Sequence, residues 1–111
     1  MNFQTIYIGT YTEKLPFVDG KAEGIYVCRL DMNSGKLAYM SNTIGPRNPS
    51  YLAIDPQQKF IYANQETEIE DVPKVHALVI DGDTLYSLND QPGYGGLPCH
   101  ITVDKTGRFV L

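Results

Sequence analysis

The chain has 111 residues, with 13 acidic against 9 basic side chains and a formal net charge of −4. That balance argues against a nucleic-acid partner, because a phosphate-backbone binder presents a basic face. Apolar residues make up 42% and charged residues 20%, a globular rather than a disordered composition. No apolar run approaches the roughly 18 residues of a membrane span, and no membrane partner is expected.

Eight Tyr, four Phe, ten Gly and seven Pro favour strands joined by many turns. Residues 1–5 have neither the positive region nor the apolar run of a leader peptide. A first strand is expected over residues 5–12, where apolar and polar residues alternate. Residues 13–23 read as a long irregular loop. A strand follows over 24–31, then a turn at Met32-Asn33-Ser34-Gly35 and a strand over 36–41. Residues 50–55, 60–65, 75–81 and 84–89 form a set of four, with a second long loop over 67–73. Residues 100–104 and 108–111 open another set. Cys28 and Cys99 have neither zinc nor redox-pair spacing, so they are expected as free thiols in a reducing cytoplasm.

Self-similarity organises these strands. Residues 98–111 repeat 49–62 at a shift of 49 positions: Pro49/Pro98, Asp55/Asp104 and Phe60/Phe109 are identical, and Leu52/Ile101, Ile54/Val103 and Ile61/Val110 are apolar exchanges. Residues 25–31 echo 75–81 at a shift of 50. Four short strands per repeat of about 50 residues describe one blade of a β-propeller, an all-β fold. With strands lettered A to D from the axis outward, the chain reads B-C-D, A-B-C-D, A-B. Residues 44–91 would then be one full blade and 96–111 the start of the next, all within 1–111 as the N-terminal part of one propeller domain. Because the chain stops inside the repeat, a longer parent is expected, whose remaining blades close the ring. The alternative is a small β-sandwich or barrel complete in itself.

In such a blade the residues opening strand A and closing strand B share one rim, together with the adjoining loops. His100, Glu66, Tyr51 and Arg47 fall there. His100 occupies the repeat position of Tyr51, so an imidazole interrupts an aromatic pattern at a place suited to proton transfer near neutral pH. Glu66 closes its strand beside Glu68, Glu70 and Asp71, and could orient His100 or a water. A divalent-metal site or a solvated acidic loop are the other readings of that string, which has no EF-hand spacing. Arg47, in Gly45-Pro46-Arg47-Asn48-Pro49, could meet an anion. His76 lies mid-strand and reads as structural. Gly93-Tyr94-Gly95-Gly96 lacks the helix, Lys and Ser of a phosphate-cradling loop, and no Gly-x-Ser-x-Gly elbow occurs. No cofactor is implied, and water is the expected attacker.

The blocks Gly9-Thr10-Tyr11-Thr12, Asn48-Pro49-Ser50-Tyr51-Leu52 and Pro98-Cys99-His100, in that order, resemble the lactonase family of seven-bladed β-propellers. Its best-known members are bacterial 6-phosphogluconolactonases, and fungal muconate-lactonizing enzymes are related. The resemblance implies hydrolysis of a sugar lactone in the oxidative pentose phosphate route of carbohydrate metabolism. It matches His100 to the histidine of the Pro-Cys-His block, and Glu66 to the Glu closing a second-blade strand. The usual Asn before that Glu is Gln65 here. Arg47 and Tyr51 would contact substrate. A propeller used as a binding platform without chemistry, or a lactonizing or isomerising enzyme on the same scaffold, are the alternatives, because one fold hosts many functions.

Overall fold

Apolar–polar alternation takes shape as nine strands and one 3-10 turn in a computed structural model describing residues 2–111. The strands are β1 (Phe3–Ile8), β2 (Lys14–Leu15), β3 (Val18–Asp19), β4 (Ile25–Asp31), β5 (Leu37–Thr43), β6 (Leu52–Ile54), β7 (Phe60–Asn64), β8 (Lys74–Asp81) and β9 (Thr84–Pro92), with the 3-10 turn at Ile69–Asp71. All pairings are antiparallel. One sheet runs β1-β4-β5, a second runs β6-β7-β8-β9, and β2-β3 is a small hairpin of its own. No helix among the described residues is long and apolar enough to cross a membrane.

The repeat in sequence is a repeat in three dimensions. β4 and β8 hold matching places in their sheets, and each ladder shifts register at the same point, between Val27 and Cys28 and between Ala77 and Leu78. A bulge raises local twist and bends the strand, so both sheets bend alike. Between them sits the core of Ile25, Val27, Ile61, Ala63, Leu78 and Leu85, flanked by Tyr7, Met40, Leu52 and Ile80. Polar links tie one sheet to the other beside it: Arg29 Nη2 to Asp83 at 2.6 Å, and Ser41 Oγ to the Asp83 carbonyl.

Three expectations changed. The first strand ends at Ile8 instead of residue 12, because there the chain turns to meet the Pro49 segment. A Cβ on Gly9 would stand 2.6 Å from the Pro49 carbonyl oxygen, and Thr10 N–H donates to that oxygen at 2.9 Å. The 13–23 loop holds the β2-β3 hairpin, anchored by buried Leu15 and an edge-on contact of Tyr11 with Phe17. Residues 100–104 and 108–111 form no full strands; the Val103–Val110 bridge, reciprocal Thr102–Leu111 backbone bonds and an Asp104-to-Phe109 backbone bond make the beginning of a ladder.

Candidate active site

Four segments converge at one end of the sheets: the chain after β1 (Thr10–Glu13), the approach to β6 (Arg47–Tyr51), the exit of β7 (Gln65–Thr67) and the run Leu97–His100. Their meeting point is polar and dry. Asn64, Gln65, Glu66 and Thr67 are consecutive, and each is at most 4% exposed. Four buried polar residues in a row demand partners. They have them, since no buried side-chain N or O among the described residues lacks a hydrogen bond.

Glu66 accepts from Ser50 Oγ at 2.8 Å on one oxygen and from Tyr11 OH at 3.0 Å on the other. Burial, then the bond to Glu66, raise the Tyr11 phenol above its ordinary pKa, keeping it a donor. Asn48, fully buried at φ 43°, holds this arrangement from behind. Its Oδ1 accepts the N–H groups of Thr12 and Glu13 at 2.9 Å, and its Nδ2 donates to the Glu66 carbonyl at 3.1 Å. Sequence reasoning missed Asn48, Tyr11, Ser50 and Asn64. The available signals were the Gly9-Thr10-Tyr11-Thr12 and Asn48-Pro49-Ser50 blocks themselves, because the partners lie 14 to 55 positions apart.

His100 is exposed, and its ring packs on Tyr51 with centroids 4.5 Å apart and planes at 46°. The two matched positions of the repeat are therefore neighbours in space. Glu66 bonds Tyr11 and Ser50 and not His100, so the direct Glu66–His100 orienting bond expected from sequence is absent from this arrangement. Arg47 is committed elsewhere: Nε and Nη2 grip the two Glu13 carboxylate oxygens at 2.6 and 2.8 Å, and Asp71 stands 3.4 Å from Nη2. The Arg47 bond depresses the Glu13 pKa and Glu13 raises that of Arg47. A cavity of about 360 Å³ opens beside this pair, between Thr12, Gly24, Ile44 and Pro46.

Gln65 also has a task of its own. Its Oε1 lies 3.0 Å from His76 Nε2, and its amide nitrogen donates to Thr67 Oγ1 at 3.3 Å. Burial lowers the His76 pKa, with Asp90 opposing and Lys74 adding to the fall. His76 thus serves to fix Gln65 and the loop beyond it. Among the described residues no group of three or more His, Cys, Asp or Glu is gathered to hold a metal ion. Cys28 is buried and Cys99 exposed, and both are free thiols.

Adjacent antiparallel sheets of three and four strands, packed on a shared core and related by a repeat near 50 residues, are the anatomy of β-propeller blades. The comparisons agree. A family described as "Lactonase, 7-bladed beta-propeller" matches residues 5–111. The chain is similar to the 6-phosphogluconolactonase of Formosa agariphila, 30% identical over 107 residues that cover 95% of this chain and 29% of that protein. It is similar to the Bacillus subtilis 6-phosphogluconolactonase at 30% identity, covering 95% and 28%. A crystal structure from Bacteroides uniformis, whose assignment as a 6-phosphogluconolactonase is provisional, superposes with a TM-score of 0.84 at 30% identity, covering 100% of this chain and 30% of that one. The chain belongs to the lactonase family of seven-bladed β-propellers. It spans under a third of the length of the curated relatives it matches.

Proposed function

We propose that the protein carrying this chain hydrolyses a sugar lactone, with 6-phosphogluconolactone as substrate and 6-phosphogluconate as product. The observation that carries the reading is an exposed imidazole packed at a tilt on an aromatic ring, at the same end of the sheets as a buried carboxylate that accepts two hydrogen bonds. The names of the two curated relatives support the substrate class.

His100 takes a proton from water as the water oxygen attacks the lactone carbonyl carbon. The tetrahedral intermediate collapses by expelling the ring oxygen, which receives a proton, and the ring opens to a hydroxy acid. General-base help of this kind is worth about 10²–10⁴-fold. Tyr51 offers the sugar a flat face beside the base. Glu66 contributes fixed negative charge and holds Tyr11 and Ser50, acting on His100 through the cluster and not by direct contact. Arg47 serves the phosphate only with what Glu13 and Asp71 leave, its Nη1 edge. No metal or cofactor enters this scheme. The reaction belongs to carbohydrate metabolism, in the oxidative pentose phosphate route, and the two unpaired thiols fit residence in the cytoplasm. The blade boundaries that go with it are three strands of a first blade, 44–91 as a complete one and 96–111 opening a third.

The test is acid release from 6-phosphogluconolactone above its spontaneous rate, for the full-length protein and its His100→Ala variant. The expected result is turnover by the wild type that falls at least about 100-fold in the folded variant. A wild type without turnover refutes the hydrolase reading and leaves a propeller that binds without chemistry.

A further inference from the structure

Asn64 ends β7 and is 1% exposed, yet three groups from two separate segments meet on its side chain. Oδ1 accepts the Tyr51 N–H at 2.9 Å. Nδ2 donates to Ser50 Oγ at 3.0 Å and to the Pro98 carbonyl at 2.6 Å. The orientation of the amide is decided by backbone groups that have one role each. A peptide N–H only donates and a carbonyl only accepts, so turning the amide over would set like against like at both ends. This fixes the sense of the whole chain of bonds. Because Nδ2 already donates to Ser50 Oγ, the Ser50 hydroxyl hydrogen is directed to Glu66 Oε1, 2.8 Å away.

The same amide governs His100. Pro98 stands two residues before His100, and Tyr51, whose N–H Asn64 holds, is the ring against which His100 packs. Asn64 therefore grips the base of His100's own segment and the base of its stacking partner at once. Glu66 and His100 share no direct bond, and the short path between them runs Glu66–Ser50–Asn64–Pro98. We propose that Asn64 is the positioning residue that sets the geometry of the Glu66–His100 pair. It touches no substrate, and its effect passes through Ser50 to the carboxylate and through Pro98 and Tyr51 to the imidazole. The proposal rests on the lactone-hydrolysis reading for its kinetic consequence, while the anchoring itself does not depend on that reading.

The experiment compares wild type, Asn64→Ala, Glu66→Gln, Ser50→Ala and Asn64→Ala/Glu66→Gln in the full-length protein, on 6-phosphogluconolactone, with amide hydrogen exchange on the same samples. For Asn64→Ala the expected result is a fall in kcat of about 10–100-fold with KM within about threefold, the mark of lost alignment rather than lost binding. The double variant should lose little beyond Glu66→Gln alone, because both changes disable one unit. The amide of Tyr51, which donates to Asn64 Oδ1, should exchange faster. Should Asn64→Ala fail to fold, Ser50→Ala removes only the hydroxyl link and should itself lower kcat with KM unchanged. Unchanged kcat in a folded Asn64→Ala, additive losses in the double variant, or an unaffected Ser50→Ala would each overturn the proposal. If the wild type shows no turnover, the hydrolase reading has failed separately. Exchange then decides the anchoring: faster exchange at Tyr51 in Asn64→Ala sustains it, and unchanged exchange overturns it.

Discussion

Three aspartates at turns show how single side chains set local geometry. Asp55 Oδ1 accepts the N–H groups of Lys59 at 2.7 Å and Phe60 at 2.8 Å, while Oδ2 takes that of Gln57. Asp104 does the same with Arg108, Phe109 and Thr106, at the matching positions of the repeat. Asp31 holds Asn33 and Ser34. Burial works to raise the Asp55 pKa, but the bonds from Phe60, Lys59 and Gln57 outweigh it and hold the carboxyl below its ordinary value. The bonds to Thr106 and Asn33 do likewise for Asp104 and Asp31. A carboxyl depressed on folding contributes stability above its unfolded pKa, about 3.9, and loses that contribution as pH falls through the folded value. Urea titrations over a pH series should therefore show stability dropping below about pH 4. Asp55→Asn should be less stable by about 1–3 kcal/mol at pH 7 and fall less steeply in acid. A variant with the wild-type acid slope would remove Asp55 from this account.

At the scale of elements, the β6–β7 turn and its repeat differ in one telling residue. Gly107 sits at φ 74°, and its counterpart Gln58 at φ 58°. The left-handed region costs a side-chain-bearing residue about 1–2 kcal/mol, and a glycine costs about 0.5–1 kcal/mol of extra chain entropy. The strain term is the larger. Gln58→Gly should thus stabilise the protein by up to about 1 kcal/mol, seen as a raised urea midpoint with unchanged slope. A lowered midpoint would mean that the Gln58 side chain makes a contribution exceeding its backbone strain. The paired bulges at Met40 in β5 and Leu88 in β9 belong to the same scale: they bend both sheets alike, which lets one packing surface recur along the repeat.

The whole molecule is a slab, with principal extents of 47 × 35 × 19 Å and a radius of gyration of 14.2 Å. A compact chain of this length would have about 13 Å. The shape leaves apolar side chains uncovered, including Tyr39 at 62%, Ile44 at 77%, Phe109 at 60% and Leu111 at 78% exposure. The edge strands β1, β5, β6 and β9 also present unpaired backbone edges, which invite strand addition. These 111 residues expressed by themselves should self-associate, and light scattering after size exclusion should give a mass above 12.4 kDa. A monodisperse monomer with a cooperative melt would count against the exposed faces as packing surfaces for further blades.

The propeller class was legible in the sequence because local signals carry it: period-two alternation, Asp-led turns, and a repeat near 50 residues that the matched bulges and turn bonds reproduce. His100 stood out for the same reason, as one residue breaking a repeated pattern. The partnership around it was not legible. Glu66 meets Tyr11 across 55 positions and Asn64 meets Pro98 across 34, and no spacing rule links residues brought together by two sheets packing. Arg47 read as a loop residue that could meet an anion, and the anion it meets here is Glu13, at the start of the β2-β3 hairpin. Sequence by itself determined the seven longer strands and the turns between them, since these follow from neighbours along the chain. Only the tertiary structure decided which side chains are buried together, because a buried polar group takes whatever partner packing brings within about 3 Å.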